Sequence, residues 1–175
     1  MTSSSVSPPR GAVAAVDRWI DRIGRAAAWL TLAVVVLMAL NVLLRYAFSI
    51  GSVWSQELEW HLLAPLVLIG MTYALQKGDH VRVDVLYARF SPRGKALVDA
   101  LSALLAIGIA VLVIRYSIPY VQQSMSIGEI SADPGGLTHR WLLKALIPLG
   151  FALFALQAAA QGLTALRRVF APAPE

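Results

Sequence analysis

Four long stretches without a charged residue divide this chain. Arg25 to Arg45 encloses 19 such residues (Ala26 to Leu44), Glu59 to Lys77 encloses 17, Asp99 to Arg115 encloses 15, and Lys144 to Arg167 encloses 22. A helix rises about 1.5 Å per residue and the hydrocarbon core of a bilayer is roughly 30 Å thick, so about 20 residues span it. The first and fourth stretches are long enough as they stand. The second and third reach that length by borrowing flanking apolar residues such as Leu58, Ala96, Leu97 and Val98. In a chain of 175 residues, four spanning helices leave no room for a soluble catalytic domain. The expected fold is therefore an all-α membrane protein of four transmembrane helices with short amphipathic interfacial helices. A tail over residues 1–12, rich in Ser and Pro, is expected to be disordered. One four-helix domain follows over 13–170, and then a C-terminal tail over 171–175.

Composition agrees with one membrane domain. Only 14% of the residues are charged, against about 25% in a soluble domain. The net charge of +5 does not point to nucleic acid, because the basic residues flank the apolar runs instead of clustering on one polar face. The chain has no cysteine, which excludes disulfides, a thiolate nucleophile and Cys-ligated metal. The first apolar run is longer than a signal-peptide core, and Asn41-Val42-Leu43-Leu44-Arg45 offers no small-x-small cleavage site. It is expected to stay as a signal-anchor helix.

The charge bias gives a topology. The segment before the first run holds four Lys and Arg, the loop after the second run five, and the C-terminal tail two, which makes eleven on one side. The other side holds four: Arg45, Arg115, Arg140 and Lys144. Cytoplasmic loops carry the excess of basic residues, so both termini are expected to be cytoplasmic.

Local patterns place the helix ends. Val16, Trp19, Ile20 and Ile23, with charges between them, form an amphipathic stretch over Val13 to Arg25. It either lies along the membrane surface or extends helix 1. Helix 1 is expected to run to about Leu44, with Tyr46 and Trp54 at the interface. Gly51-Ser52 marks a turn, and helix 2 is expected from Val53 or Trp54 to Gln76, with Pro65 inside it and Gly78 as its C-cap. Val81, Val85, Leu86 and Phe90 suggest a short interfacial helix in the loop Asp79 to Phe90. Ser91-Pro92 reads as N-cap and first residue of helix 3. Pro119 is expected to bend or end that helix between Arg115 and Val121. Asp133-Pro134-Gly135-Gly136 is a turn signal, and Thr138 is the expected cap of helix 4. Pro148, Gly150, Gly162 and several alanines give helix 4 small faces that permit close helix contact.

Few constellations carry chemistry. Arg45 on helix 1 is a candidate clasp partner for Glu57 or Glu59 on helix 2; the alternative is separate, hydrated charges. Glu57 and His61 share a helical face, yet no further ligand lies at a useful spacing, so a partly hydrated histidine is expected there. His61 is the only histidine well placed in a span, which argues against a bis-histidine haem and a redox anchor subunit. A stand-alone ion-coupled transporter should bury an acid near the bilayer midplane, and each Asp and Glu here lies in a loop, a tail or at a helix end. Gln157 and Gln161, one turn apart, are suited to bond a neighbouring helix. No phosphate-binding glycine loop and no nucleophile elbow occur. The residues describe a non-enzymatic accessory subunit with no cofactor and no metal.

Asn41-Val42-Leu43-Leu44-Arg45-Tyr46-Ala47-Phe48 followed by Trp54-Ser55-Gln56-Glu57-Leu58 resembles the DctQ-like small membrane subunit of tripartite ATP-independent periplasmic (TRAP) transporters. Gly78-Asp79-His80-Val81-Arg82-Val83-Asp84, Asp133-Pro134-Gly135-Gly136 and Lys144-Ala145-Leu146-Ile147-Pro148-Leu149-Gly150 are similar to later parts of that family. The resemblance covers about Trp29 to Leu166. Gln56 departs from it, standing where the family commonly has the first Glu of a pair.

The resemblance implies a small subunit in the bacterial inner membrane that braces a large TRAP membrane subunit. It also implies a surface that helps dock a periplasmic substrate-binding protein, for sodium-coupled uptake of an organic acid. Asn41, Arg45, Trp54, Glu57, Glu59, Glu129 and Asp133 are the candidate interface residues. The lipid bilayer is the remaining expected partner.

Overall fold

The computed structural model describes residues 11–78 and 87–170. It contains four long helices: α1 (Ala12–Phe48), α2 (Val53–Lys77), α3 (Pro92–Ser126) and α4 (Trp141–Phe170). All four are long and apolar enough to cross a membrane. Residues 1–10 of the N-terminal tail, the C-terminal tail and most of the expected interfacial helix over Asp79 to Phe90 lie outside the described residues, and Ala12, placed in the tail, opens α1.

Helix ends follow local chemistry. Ser52 precedes α2, and its Oγ accepts from the Ser55 N–H at 3.4 Å. Gly78 closes α2 with φ +76°, a left-handed conformation that costs glycine little. Ser91 caps α3 by accepting from Gly94 N–H at 3.2 Å, with Pro92 in the first turn, where its missing N–H is no loss.

Of the two alternatives for the amphipathic stretch, the structure has the extension of helix 1: it is continuous with α1, and its Val13 and Ile20 are buried. Three expectations are corrected. α1 continues past Leu44 to Phe48 before Ser49 turns left-handed at φ +54°. α3 does not end at Pro119 but continues unbroken to Ser126. The proline removes one helical donor, but the helix stays packed beyond it: Ser117 and Ser124 are both buried. α4 opens at Trp141, and Thr138 does not cap it; the Thr138 hydroxyl lies 2.9 Å from His139 Nδ1.

α4 is the hub. α2 packs on one side of it and α3 on another, α1 packs mainly on α2, and α1 also touches α4. The packing has a seven-residue beat. Val13, Ile20, Ala27 and Val34 are buried along α1, and Ala96, Ala103, Ala110, Ser117 and Ser124 along α3. A period of 3.5 keeps one seam facing a neighbour.

In lipid, helices gain little by hiding apolar surface from one another, so close contact of small residues does the work. α2 and α4 meet where Gly150 faces Leu68: a Cβ at Gly150 would sit 2.7 Å from the Leu68 Cβ. α1 and α2 meet where a Cβ on Gly24 would come within 2.3 Å of the Tyr73 ring. The opposite helix faces carry large exposed side chains such as Trp29, Leu104 and Leu149.

Candidate functional site

The helices meet in two polar clusters, one at each end of the bundle. The loop end is where α1 passes to α2 and α3 passes to α4. The termini end holds the start of α1 and the finish of α4.

At the loop end, α2 places Glu57 on its second turn, beneath the connection between α3 and α4. One Glu57 oxygen accepts from the Ser131 hydroxyl, and the other accepts from the Leu137 N–H at 2.5 Å. The connection is folded to meet it. Ser131 N–H donates to the Leu137 carbonyl at 3.1 Å, and Gly136 N–H to the Asp133 carbonyl at 3.0 Å. Gly135 makes the turn with φ +80°. Gly136 has no room for a side chain: a Cβ there would lie 2.7 Å from Glu57 Oε2. The expected turn at Asp133-Pro134-Gly135-Gly136 therefore exists, and a carboxylate from another helix holds its base.

A second carboxylate pins the same loop. Glu129 pairs with the Lys144 ammonium on α4, and that ammonium also sits 4.0 Å from the centre of the Tyr120 ring on α3. The Lys144 hydrogen bond holds the Glu129 carboxyl below its ordinary value. Arg140 N–H donates to the Glu129 carbonyl at 3.2 Å.

The candidate interface residues divide into three groups, the third being Asn41 and Glu59, which bond each other. Glu57 and Glu129 fix the loop from beneath, while Asp133 and Arg45 are exposed and Trp54 is half exposed. Of the two alternatives for Arg45, the clasp is not formed. Glu57 turns to the loop, and Glu59 accepts from Asn41 Nδ2 at 2.6 Å, so an amide instead of a guanidinium ties α1 to α2. His61 Nδ1 lies 2.8 Å from the Glu57 carbonyl, which requires the proton on Nδ1. Its Nε2 is shut away from solvent, contrary to the partly hydrated histidine expected. Among the described residues no three His, Cys, Asp or Glu side chains gather as metal ligands.

At the termini end, Asp17 of α1 is the meeting point. Gln157 Nε2 donates to its carboxylate at 3.1 Å, and Gln76 Nε2 donates to its backbone carbonyl. Gln161 Nε2 donates to the Leu75 carbonyl at 2.5 Å. Asp21, one turn further on, pairs with Lys77 at 2.8 Å and with Arg25 at 3.0 Å. The two glutamines were legible as helix-bonding residues. Their partners were not: Asp17, which Gln157 reaches, reads only as one charge in an amphipathic stretch, and Gln161 bonds a backbone carbonyl, that of Leu75.

Between α2 and α4 lies an open groove of about 370 Å³, lined by Trp60, Leu63, Ala64, Val67, Leu68 and Ile147. It carries no charged side chain. A site for an organic anion needs convergent donors or cations, and this groove does not supply them.

Residues 34–168 match the family described as tripartite ATP-independent periplasmic transporters, DctQ component. The chain belongs to the DctQ family. It is 30% identical over 107 residues to a Haemophilus influenzae protein whose name is that of a TRAP transporter small permease protein; the match covers 59% of this chain and 65% of that one. It is 29% identical over 102 residues to the C4-dicarboxylate TRAP transporter small permease protein DctQ of Pseudomonas aeruginosa, covering 57% of this chain and 48% of that one. The matches thus span about half to two thirds of these relatives' own length. The family match takes in Asn41, Arg45, Trp54, Glu57, Glu59, Glu129 and Asp133, and leaves Asp17 and Asp21 outside it.

Proposed function

We propose that this DctQ-family chain is the non-catalytic small subunit of a TRAP-type secondary transporter in a bacterial inner membrane, with both termini cytoplasmic. In this reading it braces the large membrane subunit. Its outer surface receives the periplasmic substrate-binding protein during sodium-coupled uptake of an organic acid. The C4-dicarboxylate in the name of the Pseudomonas aeruginosa relative supports that substrate class. The excess of Lys and Arg at the termini end and in the loop after α2 supports the orientation.

The observation that carries the reading is the Glu57 clamp. A loop fixed at its base by a carboxylate from another helix, with Asp133 exposed at its turn, is preorganised for docking. Preorganisation lowers the ordering cost of association. The acids Asp17, Asp21, Glu57, Glu59 and Glu129 are all engaged by groups of the chain itself. They serve the scaffold, which suits a brace better than a carrier.

The test is affinity purification of the tagged full chain from its native host in mild detergent, with co-purifying chains identified by mass spectrometry. A larger polytopic membrane protein in equal amount is the expected result. Recovery of the chain alone, folded and monodisperse, overturns the reading. Asp133→Lys should keep the membrane partner and weaken capture of the periplasmic protein; unchanged capture would remove the docking role.

A further inference from the structure

The first four turns of α1 have two unlike faces. One packs inward, with Val13, Ile20, Gly24 and Ala27 buried. Both acids of this segment are also used inward or sideways: Asp17 by Gln157 and Gln76, Asp21 by Lys77 and Arg25. The other face shows Arg18, Trp19 and Arg22, all exposed, with Trp19 at 51%. It therefore combines two cations with an indole, and its neighbouring carboxylates are engaged elsewhere. Arg18 and Arg22 stand one turn apart, so their Cβ atoms are roughly 5–6 Å from each other. Two guanidiniums at that spacing can grip the oxygens of one phosphate.

Depth supplies the partner. Asp21 pairs with Lys77, the charge that ends the uncharged run of α2. Its neighbour Arg22 therefore stands at the edge of the hydrocarbon, roughly 15 Å from the midplane, and Arg18 roughly 6 Å further out. The headgroup region of a bilayer reaches to roughly 20–22 Å from its midplane, so both cations fall within it. Trp19 between them has the ring type that favours this layer. We propose that Arg18, Trp19 and Arg22 form a binding face for the phosphate of an anionic phospholipid, so that the extended start of α1 is held at the headgroup layer. The face does not depend on the docking role proposed above.

The test uses the full-length chain in mild detergent and native mass spectrometry. Phosphatidylglycerol and phosphatidylcholine with the same acyl chains are added as probes. The natural sequence should retain phosphatidylglycerol about tenfold better than phosphatidylcholine, a gain that rising salt erodes. The pair Arg18→Gln and Arg22→Gln should abolish the preference. The pair Arg18→Lys and Arg22→Lys should keep most of it, and Arg115→Gln, on α3 towards the loop end, should keep all of it. Equal retention of the two lipids by the natural sequence overturns the proposal, as does a double Gln variant that behaves like it. A double Lys variant that loses as much as the double Gln variant would trace the effect to disturbed packing. Loss of a co-purifying membrane protein from the double Gln variant, with lipid retention intact, would make the face a protein interface and also overturn it.

Discussion

At the loop end, a carboxylate on α2 reaches a hydroxyl and a backbone N–H of the connection between α3 and α4. At the termini end, amides on α2 and α4 reach Asp17 of α1. Both clusters tie together elements distant in sequence, but they hold different things. The termini end locks helix to helix, and Gln157 at its centre is only 1% exposed. The loop end locks a helix to a loop whose turn stays in solvent. Damage at the first should therefore appear as lost stability of the whole bundle. Damage at the second should appear as a loosened loop on an intact bundle.

The largest expected effect lies near the termini end. Gly24→Leu would place a side chain where the Tyr73 ring already stands, since even a Cβ would approach within 2.3 Å. Overpacking costs typically 1–3 kcal/mol, and more where neither helix can shift. The variant should melt well below the natural sequence in detergent, read by circular dichroism. An unchanged melting temperature would mean that α1 and α2 separate freely here, and the contrast between the ends would lose its basis.

Next comes Asp17→Ala. It strips the buried Gln157 amide of its acceptor, and an unsatisfied buried polar group costs about 1–3 kcal/mol. The melting temperature should fall, while protease sensitivity of residues 127–140 stays as it was. If that loop becomes sensitive as well, the two ends are coupled through α4 and are not separate locks.

The fold was largely legible, because each transmembrane run is bounded by charges and each span obeys the same length rule. What escaped were details decided by packing. Pro119 reads as a bend or an end of the helix from its own chemistry, and the seam of Ala110, Ser117 and Ser124 on α3 carries the helix past it. Asn41 and Glu57 were both singled out, Asn41 without a partner and Glu57 with Arg45 as a candidate one. Charge alone pairs Arg45 with a glutamate, whereas the actual bonds depend on where the loop 127–140 folds over α2. Gln157 shows the same limit: a polar residue in a span announces a bond but not its recipient.

Glu57→Gln sharpens the comparison from the other side. The neutral amide keeps one acceptor for the Leu137 N–H or the Ser131 hydroxyl and loses the charge assistance to both. The bundle should melt within a degree or two of the natural sequence, since a change at an exposed end leaves the helix seams alone. Hydrogen exchange at residues 131–137 should accelerate severalfold. A large drop in melting temperature would place the loop end in the same class as the termini end.

The smallest effect is a pH dependence confined to the loop. Lys144 keeps the Glu129 carboxyl below its ordinary value, so the folded loop favours the ionised form more than an unfolded loop does. The sign follows from linkage: the contribution is fully present above the ordinary value near 4.5, and it fades as pH falls through the lower folded value. Pepsin, which is active in acid, reads this directly. Cleavage within residues 127–140 should be slow at pH 5 and rise as the pH is taken towards 2, with the helices still intact by circular dichroism. Rates are taken relative to an unfolded peptide of the loop sequence cut at the same pH, which removes pepsin's own pH profile. Glu129→Gln cannot ionise, so its loop should be cut faster than the natural loop at pH 5 and show a smaller rise towards pH 2, the remainder coming from the Glu57 carboxylate beneath the same loop. Loss of helix signal over the same pH range would show that protonation undoes the bundle and not the loop alone. The division between a locked bundle and a held loop would then fail at the end where it is finest.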